Sequence, residues 1–148
     1  MENLGGLDEE VVQENKNESE KATEFKPKRR PFHYWEVGER SFKLKLTTAM
    51  IAKLENKYKT NIMNLISEDG IPALSVMLTV IQAAMVPWEH GVSYSDIMKL
   101  YDSWTEAGGN QMKFFTEVLL PTMAVSGFFT EKQAEAMKES MEGADELL

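Results

Sequence analysis

The stretch from Gly91 to Phe128, GVSYSDIMKLYDSWTEAGGNQMKFFTEVLLPTMAVSGF, decides the fold. Ser93 and Asp96 have the spacing of a capping box, in which the hydroxyl accepts the amide three residues on and the carboxylate reaches back. Ile97, Leu100, Tyr101 and Trp104 then recur at helical spacing, and Gly108-Gly109 supplies a stop. Asn110 can cap a second helix whose apolar face is Phe114, Phe115, Val118 and Leu119, with Pro121 expected to kink or end it. Gly127 is placed as a residue just past a helix C-terminus. Two helices joined by a glycine stop, rich in aromatics and methionines, form a helical hairpin with no chemical cluster in it.

Working outward, the preceding residues change period twice. His33–Val37 is aromatic and β-branched, Gly38-Glu39-Arg40 reads as a turn, and Phe42, Leu44 and Leu46 alternate along Ser41–Leu46, the pattern of a β-hairpin. A lone hairpin is marginal in water, so this one must pack on helices. Thr47 or Thr48 caps a helix with Met50, Ile51, Leu54 and Tyr58 on one face, and Asn61 caps a shorter one with Ile62, Leu65 and Ile66 inward. Pro72 suits the first turn of a third helix ending near Met85, apolar almost all round and so the central core element. Beyond Gly127, Thr130 and Gln133 make a further capping box and open a polar helix, TEKQAEAMKESME, with GADELL as a frayed end. The fold class that follows is mainly α with a small β part (α+β): an N-terminal β-hairpin packed on a compact bundle of about five to six helices. Its divisions are a disordered charged tail over 1–31, a helical domain with the hairpin over 32–130, and a polar C-terminal helix and frayed end over 131–148.

The 148 residues suffice for one domain plus a tail, and 43% hydrophobic content supplies a core. No run is apolar and long enough to span a membrane, and the N-terminus lacks the features of a signal peptide, so a cytoplasmic location is expected. With no cysteine, disulfides, thiolate metal sites and cysteine nucleophiles are excluded. The net charge of −8 is uneven: −2 over residues 1–31, +1 over 32–88 and −7 over 89–148. An acidic C-terminal half repels phosphate backbones, which makes nucleic acid an unlikely main partner. The basic run Lys26–Pro31, KPKRRP, reads as a solvated linker or as a patch for an acidic face.

Chemistry is hard to assemble from this chain. There is no phosphate-binding glycine loop, no zinc-binding helix motif and no nucleophile elbow. Asp102 and Glu106 stand at i and i+4, the usual arrangement of a solvated helix face. Trp88-Glu89-His90-Gly91 brings an aromatic, an acid and an imidazole together, yet offers no nucleophile for the imidazole to activate. No catalytic residue, metal ligand or cofactor is therefore assigned, and an enzyme is not expected. The ten methionines are the remaining signal. Met63, Met77 and Met85 fill core gaps. Met98, Met112, Met123, Met137 and Met141 lie on or beside amphipathic helices in the acidic half; each either fills the core or, exposed, helps form a repackable groove for a partner. With the aromatics Trp88 and Tyr94 they are the candidate partner-binding residues.

The order Phe42-x-Leu44-x-Leu46-Thr47, Leu54-Glu55-x-Lys57-Tyr58, an apolar helix, His90-Gly91-x-Ser93-x-x-Asp96, Leu100-Tyr101-Asp102, Gly108-Gly109 and Ser126-Gly127-Phe128-Phe129 resembles the tail assembly chaperones of long-tailed phages and prophages of Gram-positive bacteria. It is also similar to small tail proteins of gene-transfer-agent type. The likeness runs over about residues 33–130, and its weight lies in the order and spacing of short motifs. It implies a non-enzymatic role in the host cytoplasm: binding the tape measure protein and recruiting tail tube subunits during tail morphogenesis; self-association is left open beside these. It also implies a longer frameshifted form, joined where the polar C-terminal helix stands. The competing expectation is a small helical DNA-associated regulator or adaptor using KPKRRP as a basic arm.

Overall fold

The computed structural model of the chain describes residues 30–67 and 70–147. The tail expected over 1–31, most of KPKRRP included, lies outside them but for Arg30 and Pro31. Among the described residues a two-stranded antiparallel hairpin is followed by six helices, as expected.

Strands β1 (His33–Val37) and β2 (Arg40–Leu44) pair with Trp35 opposite Phe42 and Val37 opposite Arg40. Their turn is the two residues Gly38 and Glu39. Gly38, at φ +63°, holds the first central position, where a type II′ turn takes glycine. The expected second strand ran to Leu46; it ends at Leu44 because the next two amides find partners outside the sheet. Lys45 N–H donates to Ala84 O at 3.0 Å, and Leu46 N–H donates to Ser126 Oγ at 2.8 Å. The alternation survives this: Phe42, Leu44 and Leu46 are all buried, against Trp35 and Val37 on β1.

Helix α1 (Thr48–Tyr58) is capped by Thr47, whose hydroxyl accepts the Met50 amide, and ends on Lys59 in the left-handed region at φ 57°. Asn61 Oδ1 accepts the Asn64 amide at the start of α2 (Ile62–Ser67), and the Glu55 carboxylate of α1 accepts the Ile62 amide. Helix α3 (Leu74–Met85) begins later than Pro72 predicts, with Ala73 as its N-cap. Met77, Val80, Ile81, Ala84 and Met85 are wholly buried in it, so it is the central element its sequence implies.

Helix α4 (Tyr94–Glu106) carries the complete Ser93–Asp96 capping box. Its C-terminus is a full Schellman motif: Gly108 N–H donates to Thr105 O and Gly109 N–H to Trp104 O. Gly108 sits at φ +116°, and a Cβ on Gly109 would lie within 2.7 Å of three ring carbons of Trp104. The two glycines thus have separate reasons, one conformational and one steric.

Helix α5 comprises α-helical Gln111–Lys113, π-helical Phe114–Leu119 and α-helical Leu120–Val125. Of the two outcomes expected at Pro121, a kink or an end, the helix does not end there but runs on to Val125. Proline has no N–H to give and its ring crowds the carbonyl four residues back, here Glu117. The helix widens into π turns just before Pro121, with Leu120 N–H reaching Phe115 O. The Glu117 carbonyl turns instead to β1, where His33 Nε2 donates to it at 2.9 Å. Thr116 and Thr122, buried polar residues, donate to Met112 O and Val118 O. Backbone groups that proline and the widened turns leave over are in this way taken up by side chains.

A second Schellman motif closes α5, with Gly127 N–H to Ala124 O and Phe128 N–H to Met123 O. Thr130 and Gln133 exchange side chain–backbone bonds as a capping box, and α6 follows as Glu131–Leu147, carrying on through most of the segment expected to fray. The core joins β1, α4 and α5 through an aromatic cluster: Trp35, Tyr101, Trp104 and Phe114 meet edge-on or tilted with ring centroids 5.1–6.1 Å apart. No helix among the described residues is long and apolar enough to cross a membrane.

Candidate partner-binding cleft

Helices α1 and α3 and the start of α4 do not close on one another completely. Between them lies an open cleft of about 370 Å³. Met50 and Leu54 of α1, Ala83 and Val86 at the end of α3, and Tyr94 at the start of α4 make its apolar surface. Lys53 and Lys57, one turn apart on α1 and both exposed, stand at its rim. Met98, 42% exposed, is four residues beyond Tyr94 and shares its side of α4, so it extends the apolar track.

The polar side chains of the cleft are already engaged. Thr79 Oγ1 donates to Ser75 O at 2.7 Å, and Gln82 Nε2 donates to Val92 O at 3.3 Å. What faces an incoming group is therefore apolar surface, the Tyr94 side chain and two ammonium groups. Such a lining suits a side chain or helix that brings apolar atoms and carboxylates; it supplies no convergent acid and base.

The sequence-derived candidates separate cleanly. Tyr94 lines the cleft, and Met98 is exposed four residues further along the same side of α4. Trp88 is 37% exposed but faces the hairpin: its Nε1–H donates to Lys45 O at 3.1 Å and it meets Phe32 edge-on at 5.0 Å. Met112 is half-buried on α5, and Met137 and Met141 are half-buried where α6 packs on the core. Met123 is wholly buried, so the structure removes it from any binding surface: it lies at i+4 from Leu119, on the inward face of α5. The residues missed by sequence reasoning are Met50, Lys53, Lys57, Ala83 and Val86. Each looks like an ordinary core-facing or solvated position in its own helix; only the packing of three helices makes them neighbours.

Two titratable groups outside the cleft serve structure. His33 has its pKa lowered, chiefly by burial, which favours the neutral ring that donates to Glu117 O. Asp96 is held below the usual carboxylate range by its bonds to the Ser93 backbone and hydroxyl within the capping box. His90 is exposed in the loop before α4; Glu89 and Asp96 border a second, polar hollow beside it. No group of three or more potential metal-ligating side chains occurs among the described residues.

A family model described as a family of unknown function, DUF6096, matches residues 31–148, and the chain belongs to that family. Searches of curated proteins and of solved structures return no match.

Proposed function

We propose that this member of the DUF6096 family is a non-enzymatic tail assembly chaperone of a long-tailed phage or prophage, acting in the host cytoplasm. It binds amphipathic helices of the tape measure protein, keeps them soluble, and brings tail tube subunits to them. The reading rests on the order of motifs that resembles such chaperones, and one observation carries it on to a surface: the open apolar track Met50–Val86–Tyr94–Met98 with Lys53 and Lys57 at its edge. An amphipathic client helix would lay its apolar side chains along the track and set carboxylates against the two lysines, the helix-in-groove mode of recognition. Methionine and tyrosine suit this task, because one is flexible and the other presents a broad ring at low entropic cost. A track of this size gives a contact of the transient class, which release during tube growth requires.

Co-expression tests the proposal. The protein and a tape measure fragment from the same genome are produced together and separately, and the soluble fraction is measured. The expected result is a fragment that is soluble and co-purifies only in the presence of the chaperone. A fragment that aggregates equally with and without it, and never co-purifies, contradicts the proposal.

A further inference from the structure

Away from the cleft, the outer face of the hairpin concentrates aromatic rings and cations. Tyr34, 48% exposed, pairs across the strands with Lys43. Phe32 has Lys43 Nζ at 4.9 Å and Lys45 Nζ at 5.8 Å from its ring centroid, and Trp88 leans on it edge-on. Two of the three exposed large hydrophobic residues, Tyr34 and Trp88, are in this patch. Such a face is unexpected in a chain of net charge −8; Trp88 is tied to it by its bond to Lys45 O, while Tyr34 is left open to solvent.

The surface beside the patch has the opposite sign. Arg30, two residues before Phe32, forms an exposed ion pair with Glu131 at 3.5 Å, so the cationic patch runs directly onto the start of α6. Along α6, Glu131, Glu135 and Glu139 are exposed and spaced at i, i+4 and i+8, an acidic stripe bordered by Lys132 and Lys138. A cationic aromatic patch and an acidic stripe, contiguous on one molecule, are self-complementary: a two-fold axis between them lays each patch on the other copy's stripe.

We propose that the hairpin's outer face and α6 form an interface between two copies of this chain, with Lys43 and Lys45 of each copy set against Glu135 and Glu139 of the other, and Tyr34 and Trp88 buried between them. Charge complementarity, and the Arg30–Glu131 contact that joins the two surfaces, favour a second copy over an unrelated acidic protein, since one chain carries both halves of the contact. The residues of this interface and those lining the cleft do not overlap.

Sedimentation velocity on the full chain tests this with a pair of charge reversals. From about 1 µM to about 1 mM, the range of weak to moderate affinities, the wild-type chain shifts from monomer to dimer. The dimer weakens as salt rises from roughly 0.05 M to roughly 1 M, over which the Debye length falls to about 3 Å. Lys43→Glu/Lys45→Glu and Glu135→Lys/Glu139→Lys each weaken self-association by about 100-fold or more, because like charges then face each other. Mixed in equal amounts, the two variants restore the dimer, as both contacts are again between opposite charges. Far-UV circular dichroism of each variant shows that it folds. A wild-type chain that stays monomeric throughout overturns the proposal and leaves the patch to a different acidic partner. A dimer indifferent to both reversals, or a mixture that stays monomeric, overturns it as well.

Discussion

Single residues in this fold are tied to single physical demands, and two of them yield sharp predictions. Gly109 lies against the face of Trp104, with no room for a side chain. Gly109→Ala should cost about 1–3 kcal/mol by forcing the ring or the turn to move, read as a lower midpoint in urea. A midpoint unchanged from wild type contradicts the contact. His33 is the other case. Its pKa is lowered in the fold by burial, so the unfolded chain takes up the proton first, near the ordinary value of 6.5. Its contribution to stability is therefore complete above that pH and is lost as pH falls below it toward the folded-state value. The measurement is urea stability at several pH values for the wild type and for His33→Gln: the wild type should lose more stability than the variant as pH drops below 6.5. Parallel curves would show that His33 is not the group responsible. The two glycines were visible in the sequence as a helix stop. That Gly109 is there for Trp104 was not, because the ring reaches it only through the fold of the Schellman turn.

At the scale of elements, the sequence was most legible where local chemistry decides the outcome. Both capping boxes, the Asn caps before α2 and α5 and the glycine stops form as their spacing implies. Thr130→Ala should therefore destabilise the chain by about 1 kcal/mol through the start of α6, measured by chemical unfolding and seen as faster amide exchange in that helix. At Pro121, where a kink or an end was expected, the helix does not end. The reason is tertiary: β1 brings His33 within 2.9 Å of the carbonyl that proline displaces, and the π turns make space for the ring. His33→Ala leaves that carbonyl without its donor and should cost about 1 kcal/mol. In a Pro121→Ala background the residue at 121 regains an N–H, and the cost of His33→Ala should fall by at least about 0.5 kcal/mol in a double-mutant cycle. Additive effects of the two substitutions would mean that the proline and the histidine are unrelated.

For the molecule as a whole, the hairpin and the six helices were legible, and the binding surface was legible only in part. Met98 and Met123 read alike in the sequence, each on an amphipathic helix, and only the packed structure exposes the first and buries the second. Periodicity could not assemble a cleft from three helices, since Met50, Lys53 and Val86 acquire their common role only when α1, α3 and α4 pack. The cleft is proposed to hold an amphipathic client helix. The most direct test of this is isothermal titration of a tape measure fragment into the purified chain, comparing wild type with Lys53→Glu/Lys57→Glu and with Tyr94→Ala, both at exposed or half-buried positions that should fold normally. Binding with a negative heat-capacity change, weakened by about tenfold or more in each variant, is the predicted result. A fragment that binds wild type and both variants with equal affinity would place the client elsewhere and contradict the claim.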